Sequence, residues 1–175
     1  TARSLDMAKI DKSVSKGVAV VTMPDIRWGR CDIKSISLLP NVLAKQAARD
    51  ANAYEAWLVD ADGSVTEGSS TTAWIVAANG DLVTRPTTDN ILPGVTRKVL
   101  IEVARENNLR IVERAFDVDE AKRAREAFLT AASAAVIPIV SIDGTAVGDG
   151  KPGPIAVSLR AAYVRAVIDV ASRAG

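Results

Sequence analysis

Lys34 ends an apolar-flanked, strand-like tetrapeptide, Cys31-Asp32-Ile33-Lys34, just ahead of a helical pattern. A lysine so placed can be partly buried, burial lowers the pKa of an amine, and an amine that is partly neutral attacks an aldehyde. Read alone, Lys34 is first of all a solvated side chain. Glu67 stands in Val65-Thr66-Glu67-Gly68-Ser69-Ser70-Thr71-Thr72, between two strand patterns. One reading makes it a turn carboxylate, with Gly68 supplying unusual backbone angles and the hydroxyls making local turn bonds. The other is chemical: a carboxylate against a pyridine nitrogen keeps that nitrogen protonated, so the ring can accept electrons from a carbanion. The hydroxyls of Ser69, Ser70, Thr71 and Thr72 could then hold a phosphate or line a polar pocket. Gly94-Val95-Thr96 precedes a second helical pattern and could aim free backbone N–H groups at an anion, although a plain N-cap by Thr96 is the commoner explanation of such a tripeptide.

The remaining composition narrows the chemistry. Histidine is absent, which removes the Ser-His-Asp triad and the usual metal ligands and leaves proton transfer to Lys, Glu, Asp or Tyr. Cys31 is the single cysteine, so an internal disulfide framework and a Cys-rich zinc site are excluded, no metal is expected, and a reducing cytoplasm fits. The 22 basic and 21 acidic residues leave a net charge of +1 with no basic footprint for nucleic acid or a membrane surface. No apolar run reaches the length of a membrane span. Neither a phosphate-binding P-loop nor a G-x-G-x-x-G motif occurs, and the stretch from Gly148 to Pro154 reads as a loop with a Pro-assisted helix start. The chain opens Thr1-Ala2-Arg3 without Met or a signal-peptide core, and is expected to be processed, truncated or part of something longer.

The elements that must position these residues follow from periodicity. Residues 17–23 are a β-branched run closed by Pro24, a buried strand. Residues 38–52 repeat at helical spacing, with Leu39, Val42, Leu43 and Ala47 as the predicted inner face and Lys45, Gln46, Arg49 and Asp50 outside. Residues 54–59 alternate as a strand, residues 61–63 turn, and Val65-Thr66 returns. Asn79-Gly80 joins two further strands as a hairpin, so a β-meander is expected in mid-chain. A helix runs from Thr96 to the Asn107-Asn108 stop, followed by a strand at 109–112 and a short helix opened by Asp117 or Asp119. Strands at 127–130 and 136–142, a turn at Asp143-Gly144 and a final helix over 155–173 complete the reading. With 48% apolar residues in 175, this is one sizeable α+β (mixed α/β) domain without regular doubly wound alternation.

These pieces resemble, in order, a known family. Arg27-Trp28-Gly29-Arg30-Cys31-Asp32-Ile33-Lys34-Ser35, with Leu38-Leu39 and Asn41-Val42-Leu43-Ala44-Lys45-Gln46 after it, is similar to the Schiff-base lysine region of the D-amino-acid aminotransferases, pyridoxal-phosphate enzymes of class IV. Val65-Thr66-Glu67-Gly68-Ser69-Ser70 resembles their carboxylate motif and Ile91-Leu92-Pro93-Gly94-Val95-Thr96-Arg97 their phosphate turn. Asp149-Gly150-Lys151-Pro152-Gly153-Pro154 resembles their approach to the last helix.

The resemblance implies a fold type IV large domain over residues 24–175, with 1–23 as a lead-in and first strand behind a small N-terminal domain. It implies that Lys34 holds pyridoxal 5'-phosphate as an imine and shuttles the proton, and that Glu67 pairs with the pyridine nitrogen. Val95 and Thr96 would bind the phosphate, Leu92 would pack on the ring and Ser70 would lie close to it. Where the family places a phosphate-binding hydroxyl, this chain has Ala132 with Ser133 beside it. The implied reaction is transamination between an amino acid, D-alanine favoured, and a 2-oxo acid, in a cytoplasmic homodimer. Aminodeoxychorismate lyase and branched-chain aminotransferase activities share the architecture, and a cofactor-free interaction domain is the remaining alternative. Because the small domain supplies a phosphate arginine and the substrate clamp, residues 1–175 alone are expected to be inactive and to expose an apolar face.

Overall fold

A computed structural model describes residues 6–173. It has one sheet of nine strands flanked by five helices. Helix α1 (Met7–Lys16) is opened by Asp6, whose carboxylate accepts the Lys9 N–H at 3.0 Å. It sets Ile10 and Val14, one helical turn apart, against the sheet core. Sequence periodicity read only as far as the first strand misses this helix. Strand β1 (Val18–Pro24) follows as predicted, buried chiefly at Val18 and Val20.

Helix α2 (Leu39–Asp50) lies where the periodicity puts it but presents a different face. Ala44 and Ala48 are its buried residues and pack with Ala56 and Leu58. Leu39, Val42 and Leu43, predicted to face inward, are exposed. The small alanines bring the helix close to strand β2 (Glu55–Val59), and the large apolar residues are left outside.

The expected meander is not one. Strands β2 and β3 (Val65–Gly68) form a hairpin at one end of the sheet, and β4 (Thr72–Val76) and β5 (Leu82–Thr84) form another towards the opposite end. The order is β3-β2-β1-β8-β7-β4-β5-β6, with β6 at Ile111–Glu113, β7 at Glu126–Ala131 and β8 at Ala135–Ile142. The parallel pairs β1–β2, β1–β8 and β5–β6 mix with antiparallel ones. The sheet curls into a half-barrel, with β3 returning against β4 and the Gly68 N–H bonded to the Thr71 carbonyl at 2.7 Å. A tightly wound turn at Asp143-Gly144, both at positive φ (48° and 77°), leads to the two-residue strand β9 (Thr145–Ala146).

Helices α3 (Val95–Glu106), α4 (Val118–Arg123) and α5 (Pro154–Arg173) complete the chain. Of the two aspartates proposed to open α4, Asp117 does so, accepting the Glu120 N–H at 2.6 Å. Trp57, Ile75, Leu129 and Ile137 fill a core under one face of the sheet. Trp74 and Phe128, stacked at 5.6 Å, fill a second beneath α3 and α5. No helix among the described residues is long and apolar enough to cross a membrane.

Candidate active site

Glu67 is in a strand, not a turn. It sits in β3, 6% exposed, held by neighbours from two loops. The first loop leaves β1, whose pairing with β2 continues through the Asp25 N–H to the Val59 carbonyl at 2.8 Å. Asp25 then turns the chain so that Arg27 folds back on it. The Arg27 backbone N–H and Nε both donate to Asp25 Oδ1 (3.1 and 2.9 Å), and Nη2 donates to Oδ2 at 2.7 Å. The remaining arm, Nη1, donates to Glu67 Oε1. Nη2 also reaches the Asn90 carbonyl at 3.1 Å, and Thr66 donates its hydroxyl to Asp25 Oδ2 at 2.7 Å. The second loop brings the Leu92 N–H to Glu67 Oε1 at 3.3 Å. Two sequence motifs 25 residues apart therefore meet at one carboxylate oxygen.

The electrostatics follow from burial. Burial pushes the Glu67 carboxyl above its ordinary value, and the Arg27 cation only partly offsets this. Burial works against the ionised form of Asp25 too, but hydrogen bonds from Arg27 and Thr66 hold it below the usual carboxylate range. Arg27 is buried as well, and the two acids keep it charged. Sequence motifs include Arg27 without giving it a role, since its partners lie on three separate segments. The one available signal is the Asp-x-Arg spacing.

Two residues past Leu92, Gly94 is the N-cap of α3 and the helix has no side-chain capping bond. Thr96 is therefore not the cap; it lies in the first turn, 3% exposed, and its Oγ1 is buried without a hydrogen-bond partner among the described residues. Val95 is exposed. Gly94 stands beside Thr72 at the start of β4, and Thr72 pairs with Thr130 near the end of β7. The β7–β8 turn carrying Ser133 thus lies at the same end of the sheet as the α3 N-terminus, with Ser133 exposed.

Ser70 is turned elsewhere. Its hydroxyl donates to Glu55 Oε2 at 2.8 Å, Ser69 donates to Glu55 Oε1, and Lys45 approaches the same fully buried carboxylate at 3.2 Å. Of the hydroxyls expected to line a polar pocket, two therefore hold a structural acid, while Thr71 Oγ1 is buried without a partner.

Lys34 departs furthest from expectation. Residues 31–33 form a turn rather than a strand, and Lys34 is exposed, with no hydrogen bond or ion pair among the described residues. Its loop is tied down by the Asp32 N–H to the Asp89 carbonyl (3.1 Å), by Arg30 on Asp32, and by the Cys31 thiol on the Trp28 carbonyl. The same Asp89–Asn90 segment that anchors Arg27 thus anchors the loop of Lys34. A cavity of about 440 Å³ lies at the ends of β1 and β2, lined by Asp25, Asp60 and Val118 among others, and includes none of the predicted residues. Among the described residues no group of three or more His, Cys, Asp or Glu could hold a metal.

The family described as Amino-transferase class IV matches residues 1–142. A D-alanine aminotransferase of Bacillus licheniformis is 40% identical over 168 residues, 96% of this chain and 59% of that protein. Another, of Staphylococcus aureus (strain COL), is 43% identical over 150 residues, 86% of this chain and 52% of that one. Among solved structures, the branched-chain amino acid aminotransferase from Thermobaculum terrenum in its PLP form superposes with a TM-score of 0.80 at 29% identity, over 91% of this chain and 53% of that one. The chain thus spans between 52% and 59% of the length of these relatives.

Proposed function

Because the chain belongs to the class IV aminotransferases, we propose that it is the cofactor-bearing part of an enzyme that transaminates an amino acid, D-alanine foremost, with a 2-oxo acid. Enzymes of this class depend on pyridoxal 5'-phosphate, which, when bound, supplies an aldehyde for an amine and a ring that accepts electrons. The observation carrying the reading is the convergence at Glu67: a buried carboxylate fixed by Arg27 on one side and by the backbone of Leu92 on the other.

The residues present fit that cofactor. Thr96 offers a buried hydroxyl lacking a partner at a helix N-terminus free of side-chain caps, a combination suited to a phosphate. Val95 contributes backbone N–H at the same turn, and Ser133 a hydroxyl from the neighbouring β7–β8 turn. Leu92, half-buried beside Glu67, presents an apolar side chain to a ring face. Glu67 would accept a hydrogen bond from the protonated ring nitrogen, and Lys34, without a competing partner among the described residues, would bind the aldehyde and move the proton at its Nζ. In this arrangement Ser70 acts through Glu55, orienting the turn after Glu67.

The exposed apolar residues Ile36, Leu38, Leu39, Val42 and Leu43 lie close together in sequence along the loop before α2 and on α2, which supports burial against a second copy in a homodimer. The sequence holds one cysteine and so no internal disulfide, which fits a reducing cytoplasm. Two classes of relative separate the substrates: the D-alanine enzymes are 40% and 43% identical to this chain, while the structural likeness includes a branched-chain enzyme at 29%. The full-length protein is assayed with D-alanine and, separately, L-leucine, each with 2-oxoglutarate. D-Alanine turnover is expected to dominate. Turnover of L-leucine alone selects the branched-chain reading, and turnover of neither, with the cofactor bound, rejects transamination.

A further inference from the structure

Two carboxylates share one guanidinium in the Asp25–Arg27–Glu67 cluster, and they share it unequally. Asp25 takes the Nε/Nη2 edge in a bidentate pair, while Glu67 receives only Nη1, on one of its two oxygens. Side-chain exposures of 10%, 6% and 7% leave little water to screen the arrangement. A guanidinium edge matches a carboxylate best as a fork, so Arg27 with Asp25 is close to a self-neutralised pair. Glu67 Oε2 has no hydrogen bond among the described residues, and the cluster as a whole keeps one net negative charge.

We propose that Asp25 is a positioning residue: by occupying the fork of Arg27 it prevents that cation from pairing with both oxygens of Glu67, and so leaves one oxygen free and basic towards a cationic N–H arriving there. Without Asp25 the guanidinium is free to turn its edge onto Glu67 and pair with both oxygens. The inference rests on the cofactor reading only for the identity of the arriving cation, the protonated ring nitrogen. The other groups facing the cluster do not replace this function. Thr66 and the Asn90 carbonyl are neutral, Asp60 is engaged by Arg85 at 3.3 Å, and the nearby Cys31 thiol is kept protonated by burial.

The test uses the full-length protein in two states. In the cofactor-free state, the Glu67 carboxyl is titrated by carbon-13 NMR, its resonance assigned by loss in Glu67→Gln. Asp25→Asn is expected to lower the Glu67 pKa by about one unit or more, the range of a nearby charge, while Asp25→Glu, which conserves charge and fork, keeps it near wild type. In the loaded state, with pyridoxal phosphate labelled at its ring nitrogen, the nitrogen-15 resonance of Asp25→Asn is expected to move towards the unprotonated value and that of Asp25→Glu to remain. If Asp25→Asn does not fold, Asp25→Ser removes charge and fork while keeping an acceptor for the Arg27 N–H, and the same shifts are expected. An unchanged Glu67 titration in the charge-removing variants overturns the proposal, as does an Asp25→Glu variant that behaves like Asp25→Asn. Failure of the wild-type protein to take up pyridoxal phosphate rejects the cofactor reading instead, and leaves the cofactor-free titration to decide this one.

Discussion

At the residue scale, function depends on where charge is left over. Glu67 is buried and singly bonded to Arg27, and in the proposed function its negative charge serves a ring nitrogen. Glu67→Gln keeps the shape and removes the charge; the full-length variant should retain pyridoxal phosphate and lose about a hundredfold or more in kcat. Absorbance titration and steady-state kinetics read the two effects separately, and wild-type turnover would make Glu67 a structural acid. Asp143 gives a pH dependence of definite sign. Burial disfavours its charge, but Lys122 and the N–H and hydroxyl of Thr22 outweigh that and hold its carboxyl below the ordinary 3.8. The folded chain therefore binds this proton less readily than the unfolded chain, so the stabilisation is present above that value and lost as pH falls below it. Asp143→Asn should lower stability in urea at pH 7, and its difference from wild type should shrink as pH falls below 3.8. Lys34, Glu67 and Thr96 could be singled out as candidates in the sequence because short motifs carry them. Arg27 and Asp25 were not, since their meaning depends on contacts as far as 63 residues away.

At the element scale, the sequence disclosed which segments are helices and strands better than which way they face. Alternation and β-branching placed β1, β2, β7 and β8, Asn107 placed the end of α3 and Asp117 the start of α4, while Thr96, expected to cap α3, lies inside its first turn. For α2 the apolar stripe pointed the wrong way, because periodicity reports a hydrophobic face and not what covers it. Helix α5 is positioned by an interaction no local pattern reveals. The buried Glu126 carboxylate accepts the N–H groups of Ile155 and Ala156 at 3.0 and 2.9 Å, and an added Cβ at Gly153 would come within 2.1 Å of it. Glu126→Ala leaves two N–H groups unpaired and should cost about 2–3 kcal/mol. Gly153→Ala should cost about 1–3 kcal/mol through the clash. With the carboxylate gone the clash has no target, so the double variant should be more stable than the sum of the singles implies. Urea unfolding of the four proteins measures this, and strict additivity would contradict the close approach.

At the scale of the whole molecule, the site is open where the fold is closed. The two cores are buried on both faces of the sheet, while Ile36, 97% exposed, and Leu39, 68% exposed, head an apolar surface running along the Lys34 loop and α2. Residues 1–175 prepared alone should fold, bind pyridoxal phosphate weakly and self-associate, and Leu39→Lys with Val42→Lys should reduce that association; sedimentation velocity and a cofactor titration check both. The proposed function turns on this chain carrying the cofactor on Lys34. Its most direct measurement is borohydride reduction of the full-length protein loaded with pyridoxal phosphate, followed by digestion and mass spectrometric mapping. The account predicts a pyridoxyl group on the peptide containing Cys31-Asp32-Ile33-Lys34-Ser35, at Lys34. A pyridoxyl group on another lysine, or none, would contradict it.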